Sequence, residues 1–187
     1  MVTTLPNLLT ISRILAIPLI VGTFYFDGTT MRWVACGLFV AAAITDFFDG
    51  YFARRSNSVS SLGRFLDPIA DKLLVSAVLL MLTAFDRVSQ FSVLPAVVIL
   101  LREILVSGLR EFLAELRIGM PVSRLAKWKT AIQMTALPTL LVGNAAPTWL
   151  PAQTIGEILL WGAAVLTMVT GWDYMRAGLK HMSADQP

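Results

Sequence analysis

Residues 46–71 read DFFDGYFARRSNSVSSLGRFLDPIAD, and the rest of the chain is interpreted around them. In a chain of 187 residues that is 56% hydrophobic, this stretch holds four carboxylates: Asp46, Asp49, Asp67 and Asp71. The first two are three residues apart and the last two are four apart, so each pair occupies one face of a helix. Carboxylates gathered this closely repel one another unless a cation lies among them or some take up protons. Oxygen-only ligands suit hard divalent ions, so the stretch predicts a magnesium or manganese site.

The composition indicates a membrane protein. Only 14% of the residues are charged, against about 25% in soluble domains, and the mean hydropathy is +0.71. Because a helix needs about 20 residues to cross a bilayer, we expect an all-α integral membrane protein with six transmembrane helices. The expected spans are residues 8–26, 33–54, 63–85, 91–116, 124–142 and 154–176. Residues 1–182 should form a single transmembrane catalytic domain, and 183–187 a short polar tail.

The basic residues predict the orientation of the helices. If the first helix starts inside the cell, only Arg32 and Arg87 of the fifteen Lys and Arg residues fall at outer ends. Because basic residues accumulate on the cytoplasmic side, this asymmetry predicts that both termini lie inside (N-in/C-in). The motif carboxylates lie within apolar spans, where a charge costs at least about 2.5–3.5 kcal/mol unless it faces water or a partner. We therefore expect a polar cavity that opens to the cytoplasmic side.

Other classes of function fit the sequence poorly. The sequence pI of 9.4 is basic, but the basic residues are scattered through apolar segments, so we expect no binding to nucleic acid. Cys36 is the only cysteine, which excludes an internal disulfide. His181 is the only histidine and lies in a polar tail, so we expect it to be exposed to solvent rather than to ligate a metal.

The acidic stretch resembles a known signature. It matches the pattern D-x-x-D-G-x-x-A-R, eight residues, then G-x-x-x-D-x-x-x-D at every fixed position: Asp46, Asp49, Gly50, Ala53, Arg54, Gly63, Asp67 and Asp71. This pattern resembles that of the CDP-alcohol phosphotransferases. The resemblance implies transfer of the phosphate-bearing half of a CDP-linked lipid or alcohol to an acceptor hydroxyl, with release of CMP. It also implies that the four aspartates hold two divalent cations, Mg²⁺ or Mn²⁺, and that Asp71 is the catalytic base.

The same resemblance predicts a CDP-binding surface formed by five motif residues: Asp49, Gly50, Ala53, Arg54 and Gly63. Gly50 and Ala53 share a helical stripe with the first two aspartates, and their small size would let a nucleotide lie against the backbone. Arg54 would meet a phosphate or the pyrimidine ring. The alternative is that Gly50 and Ala53 only allow close packing between membrane helices.

A second group of basic residues lies downstream of the motif. Arg102 and Arg110 are eight residues apart and share a helix face, and Lys127 opens the next predicted helix. Bases beside a metal site are expected when the acceptor itself carries a phosphate. The cytoplasmic preference of basic residues also explains Arg110 and Lys127 in part, and Arg102 poorly. Pairing of Arg102 with Glu103 or Asp71 remains open.

Four further stretches narrow the resemblance to the phosphatidylglycerophosphate synthase branch: LPNLLTISRILAIP, LDPIADKLL, REILVSGLREF and KWKTAIQM. This branch implies CDP-diacylglycerol and glycerol 3-phosphate as substrates, the lipid bilayer as surroundings and a homodimer. We expect a bacterial inner (cytoplasmic) membrane, with the active site facing the cytoplasm. Asn7, Thr10 and Arg13 either contact the donor lipid or simply mark a helix start at the interface.

Two alternatives remain. The first keeps the chemistry but changes the acceptor to inositol phosphate or a phosphatidylglycerol hydroxyl; serine would not need the basic cluster. The second is a non-enzymatic, carboxylate-lined membrane protein that binds ions. That reading gives no reason for Gly50, Ala53 and Arg54 at fixed spacing.

Overall fold

The computed structural model describes residues 5–56, 61–115 and 123–184 of the chain. Within these ranges the side chains of residues 5–6, 47–56, 61–62, 64–65, 115 and 180–184 are not described. The described residues form six α-helices and one short 3₁₀ turn, Gly143–Ala145. The helices are α1 Leu5–Thr23, α2 Thr29–Ser56, α3 Ser61–Ala84, α4 Gln90–Glu115, α5 Arg124–Val142 and α6 Ala152–Ala184.

The six predicted helices are confirmed, and four of their ends differ by three residues or more. α1 begins at Leu5 rather than at residue 8. α1 ends at Thr23 rather than Phe26, because backbone bonds from Phe24 and Tyr25 to carbonyls three residues back close the helix as a turn. α2 begins at Thr29, directly after Gly28, whose φ of 119° allows the sharp change of direction. α6 continues to Ala184, since no proline interrupts it after Arg176.

The described residues belong to two compact units. Unit 1 comprises Met1–Val88 with Leu137–Gly156, and unit 2 comprises Ser89–Ala136 with Glu157–Pro187. In unit 1, α1 packs against both α2 and α3. Its buried apolar side chains include Ile20, Phe24, Phe39, Leu74, Leu79 and Leu140. Those of unit 2 include Ile99, Val106, Leu113, Leu160 and Ala163.

Two of the described helices are long and apolar enough to cross a membrane, Gln90–Ala114 and Ala152–Leu179. Only 28% and 39% of the most apolar stretch of 18 residues in each helix are buried, whereas the core helix of a soluble protein would be mostly buried. Along α4 the exposed large side chains recur at helical spacing: Leu94, Val97, Leu101, Ile104 and Leu105. Such an apolar face requires a covering of lipid or protein, and these features are those of a membrane protein.

Candidate active site

A polar face on α1 lies at the centre of the site. Asn7, Thr10 and Arg13 follow one another at intervals of three residues, so they share one side of the helix. All three are buried, although most of α1 is apolar. Because α1 packs against α2 and α3, the two helices that carry the motif, these polar side chains can reach the motif carboxylates.

Arg13 joins two of these carboxylates. Its Nη2 lies 2.9 Å from Oδ1 of Asp46, and its Nη1 donates to Oδ1 of Asp71 at 2.5 Å. The arginine side chain is 0% exposed, while those of Asp46 and Asp71 are 39% and 45% exposed. The buried guanidinium therefore binds two carboxylates from the protein interior, and part of each carboxylate stays accessible to solvent. Charge-assisted bonds of this kind are about twice as strong as bonds between neutral groups.

Thr10 holds a third carboxylate. Its hydroxyl donates to Oδ1 of Asp67 at 2.5 Å, and Asp67 is partly buried on α3. Thr10 and Arg13 are one turn apart, so a single turn of α1 contacts Asp46 on α2 and both motif aspartates of α3. Three of the four predicted carboxylates therefore converge on α1. The side chain of the fourth, Asp49, lies outside the described residues.

The donor set fits a hard divalent cation by its chemistry. Asp46, Asp67 and Asp71 offer only oxygen, and each bond from α1 engages one oxygen of its carboxylate. Among the described side chains, no three acids, histidines or cysteines are arranged to hold one ion, but that comparison leaves out Asp49. That the four aspartates of the motif hold Mg²⁺ or Mn²⁺ stays a prediction.

The predicted CDP contacts lie next to these carboxylates in the chain. Asp49, Gly50, Ala53 and Arg54 lie on the helical backbone of α2, but their side chains are outside the described residues. Gly63 is described, and it is buried in the first turn of α3. The CDP-binding role of all five residues stays a prediction.

In unit 2, Arg102 of α4 contacts α6. Its Nη2 donates to Oγ1 of Thr170 at 3.2 Å, and its guanidinium carbon lies 5.7 Å from the ring centroid of Tyr174. Its Nη1 lies 3.7 Å from Oε1 of Glu103, which also accepts a hydrogen bond from Lys129. The other two predicted acceptor residues, Arg110 and Lys127, are exposed.

Sequence reasoning missed two features of these clusters. It assigned Thr10 and Arg13 either to the donor lipid or to a helix start, whereas the structure bonds both to motif carboxylates. The available signal was their common face in an otherwise apolar helix. It also missed the pair of Lys129 with Glu103, for which the sequence offers no local signal because the partners lie 26 residues apart.

Known proteins resemble this chain over most of its length. The family profile for CDP-alcohol phosphatidyltransferases matches residues 3–169. A Rickettsia felis protein named CDP-diacylglycerol–glycerol-3-phosphate 3-phosphatidyltransferase is 50% identical over 177 residues, covering 95% of this chain and 96% of its own. A Pseudomonas fluorescens protein of the same name is 42% identical, with 97% and 93% covered.

A third relative carries a different name. A rice protein named cardiolipin synthase (CMP-forming) is 41% identical over 92% of this chain and 56% of its own length. All three relatives span most of this chain, and the family profile includes every residue of the acidic motif. This chain therefore belongs to the CDP-alcohol phosphatidyltransferase family.

Proposed function

We propose that the protein transfers the phosphatidyl group of CDP-diacylglycerol to glycerol 3-phosphate, giving phosphatidylglycerol phosphate and CMP. The observation that carries this proposal is the 50% identity, over 95% of the chain, to a relative named for that reaction. The convergence of Asp46, Asp67 and Asp71 on Arg13 and Thr10 supports it, because metal-assisted phosphoryl transfer needs carboxylates in one place.

In this proposal the four motif aspartates hold two divalent cations, Mg²⁺ or Mn²⁺. When bound, such ions polarise the attacked phosphorus and stabilise the oxygen that leaves with CMP. Arg13 and Thr10 set the orientation of the carboxylates from the buried side. Their contacts use Oδ1 of each aspartate, which leaves Oδ2 on the side away from these bonds.

Asp71 acts as the base that takes the proton from the acceptor hydroxyl. Since Arg13 engages its Oδ1, the proton goes to Oδ2. The oxygen freed of its proton attacks the phosphorus of CDP-diacylglycerol, and the bond to CMP breaks. Gly50, Ala53 and Gly63 give the nucleotide access to the backbone, and Asp49 and Arg54 contact it through their side chains.

The phosphate of the acceptor is bound by Arg102, Arg110 and Lys127. The surroundings of Arg102 support this role. Its Nε is enclosed and has no hydrogen-bond partner in the described part of the chain. An enclosed guanidinium nitrogen without an acceptor is costly, and a phosphate oxygen would satisfy it. The exposed Arg110 and Lys127 would complete the charge around the same group.

The proposal includes an arrangement in the membrane. Six helices span the bilayer with both termini inside, and the carboxylates line a cavity that opens to the cytoplasm. In a bacterium this is the inner membrane, and the active unit is a homodimer. The exposed apolar side chains of α1 and α4, among them Leu15, Leu19 and Leu101, are available to lipid or to a second copy.

A second acceptor is supported by one observation. The rice relative is named cardiolipin synthase, which makes a phosphatidylglycerol hydroxyl a candidate acceptor for the same chemistry. Inositol phosphate is the other phosphorylated candidate. A non-enzymatic ion-binding role predicts no release of CMP with any acceptor.

The test supplies purified protein in detergent with CDP-diacylglycerol, Mg²⁺ and one acceptor at a time, and measures CMP. We expect release with glycerol 3-phosphate and none with inositol phosphate, serine or phosphatidylglycerol. Asp71→Asn should lower turnover by roughly 10²–10⁴, the range for a lost general base. Addition of EDTA should abolish release, and Mg²⁺ or Mn²⁺ should restore it.

Each outcome distinguishes one alternative. If only phosphatidylglycerol gave CMP release, phosphatidylglycerol would be the acceptor instead of glycerol 3-phosphate. If none of the acceptors gave CMP release, the protein would not be this enzyme. Near-normal turnover in Asp71→Asn would mean that another group takes the proton.

A further inference from the structure

Two arginines lie together at the end of unit 1 opposite to the motif. Arg32 is in the first turn of α2, and Arg87 is in the turn between α3 and α4. Among the fifteen Lys and Arg residues, these are the two predicted at outer ends, where basic residues are otherwise scarce. Ala84, the last residue of α3, is 13 residues beyond Asp71, which corresponds to about 20 Å along the helix. The pair is therefore separate from the carboxylate site.

Arg87 is enclosed by protein and lacks an acceptor. Its residue exposure is 8%, and its guanidinium carbon lies 4.1 Å from the ring centroid of Phe24. The ring covers one face of the guanidinium but provides no acceptor in its plane. Its Nη1 is enclosed and has no hydrogen-bond partner among the described residues. Its backbone carbonyl accepts from Nε2 of Gln153 at 2.7 Å, so the turn itself is held firmly.

Arg32 presents a second nitrogen of the same kind. Its Nη1 is also enclosed without a hydrogen-bond partner in the part of the chain that the structure describes. It lies against Gly143, where an added Cβ would come within 3.1 Å of Nη1 and 2.7 Å of Oε1 of Gln153. Gly143 has a φ of 45°, so a glycine is favoured there both by conformation and by space. Gln153 thus links the surroundings of the two arginines.

The charges of this cluster do not balance. Burial lowers the pKa of Arg87, the nearby charge of Arg32 lowers it further, and only Asp27 acts in the opposite direction. Among the described residues, the charges that act on Arg87 are the guanidinium of Arg32 and the carboxylate of Asp27, and Asp27 is exposed. Positive charges that are removed from water and only partly neutralised are stabilised by an anion.

The surroundings indicate which anion would be present. This end of unit 1 carries exposed aromatic side chains: Tyr25, Phe26, Trp33 and Trp149. Trp33 is anchored by a bond from its Nε1 to the carbonyl of Ala145 at 3.3 Å. Exposed tryptophan and tyrosine are typical of the depth at which lipid head groups lie. A phosphodiester is the common anion at that depth, and the guanidinium fork matches its oxygens.

We propose that Arg32 and Arg87 form a binding site for the phosphodiester of a membrane lipid head group, at the end of unit 1 opposite to the aspartates. One phosphate group accepts from the guanidinium groups of both arginines, and the exposed aromatic residues contact the glycerol and upper acyl region. Free phosphate shares this chemistry and is tested separately. The site binds a lipid that is not a substrate and anchors the loops at this end.

The test is thermal unfolding of the detergent-purified protein with three probes. These are short-chain phosphatidylglycerol, diacylglycerol of the same chain length without a phosphate, and inorganic phosphate. We expect phosphatidylglycerol to raise the Tm by roughly 5–10 °C, as a saturated site does in a chain of this size. Diacylglycerol should have little effect. Equal stabilisation by inorganic phosphate would identify a free-anion site instead of a lipid site.

A phospholipid could also enter the carboxylate site, so variants are needed to distinguish binding at the two sites. Arg32→Gln and Arg87→Gln should lose most of the rise in Tm, whereas Asp71→Asn and the exposed control Arg124→Gln should keep it. Arg87→Lys keeps the charge without the fork and should keep part of the rise, which matters if Arg87→Gln does not fold. Native mass spectrometry should detect retained phospholipid on the wild type and less on Arg32→Gln. An equal rise in the wild type and Arg32→Gln, or no rise with either phosphate probe, would overturn the proposal.

Discussion

At the scale of single residues, Arg13 is the side chain that organises the candidate active site. It is fully buried, yet it contacts Asp46 and Asp71, which are 39% and 45% exposed. A buried charge is strongly unfavourable unless its partners and geometry are good, and two carboxylates at 2.9 and 2.5 Å offset that cost. Because Arg13 acts through the aspartates, it is a positioning residue.

Replacing Arg13 should lower turnover and also change the Mn²⁺ concentration that gives half-maximal activity. We expect Arg13→Gln to lower CMP release by about 10–100-fold, the usual effect of losing a residue that orients metal ligands. Arg13→Lys keeps the charge but cannot bond both carboxylates in a fork, so its activity should be intermediate. The measurements are CMP release and the Mn²⁺ concentration that gives half-maximal activity. The exposed Arg124→Gln is the control.

A purely structural role for Arg13 would give a different result. Both variants would then lower the Tm while leaving the Mn²⁺ midpoint unchanged. Wild-type turnover in Arg13→Gln would contradict the positioning role outright.

Thr10 offers a more conservative substitution. Thr10→Val keeps the shape and removes the hydroxyl that donates to Asp67, whereas Thr10→Ser keeps the hydroxyl. We expect Thr10→Val to lose roughly tenfold in turnover, at the lower end of the range for such supporting residues, and Thr10→Ser to stay close to the wild type. Steady-state rates with saturating substrates measure the difference. Equal rates in the two variants would show that the bond to Asp67 has no part in catalysis.

At the scale of helices, glycines on α6 allow close packing within each unit. In unit 1, a Cβ at Gly156 would come within 2.7 Å of Cγ and Cδ2 of Leu140 and 3.2 Å of its backbone nitrogen. In unit 2, a Cβ at Gly178 would come within 2.8 Å of Cδ1 of Leu109. By contrast, Gly162 has nothing within 4 Å of such an atom. Two of these glycines thus serve packing, which small residues do between membrane helices.

Alanine substitutions should separate these roles. Gly156→Ala forces a methyl group against Leu140, and overpacking of this kind costs about 1–3 kcal/mol. With a Tm shift of about 2–4 °C per kcal/mol, the Tm should fall measurably. Gly162→Ala meets open space and gains helix propensity, so its Tm should stay level or rise. A fall in Tm for Gly162→Ala as large as that for Gly156→Ala would contradict the packing explanation.

At the scale of the whole molecule, the distribution of charge predicts which side of the membrane each loop faces. A background of Cys36→Ser removes the only cysteine, and single cysteines then report on the loops. Thr148→Cys, between α5 and α6, should react with a membrane-impermeant maleimide in intact cells. Ser123→Cys, just before α5, should react only after lysis. The reverse pattern would contradict the proposed N-in/C-in arrangement and the cytoplasmic cavity with it.

Much of the fold could be predicted because its signals are local. Apolar runs bounded by polar turns located all six helices to within a few residues, except at the start of α2 and the end of α6. The start of α2 was missed because Thr29 and Thr30 resemble a polar turn, whereas the turn ends at Gly28, whose φ of 119° allows the change of direction. The end of α6 was missed because a polar composition does not stop a helix that contains no proline.

The sequence by itself determined the family and the acidic cluster, because helical spacing of three and four residues places carboxylates on one face wherever the helix lies. Only the tertiary structure decided what holds them. Arg13 and Asp71 are 58 residues apart, and Thr10 and Asp67 are 57 apart, so no local pattern could pair them. The packing of α1 against α2 and α3 brings them together, and it gives the buried guanidinium and hydroxyl the partners that buried polar groups require.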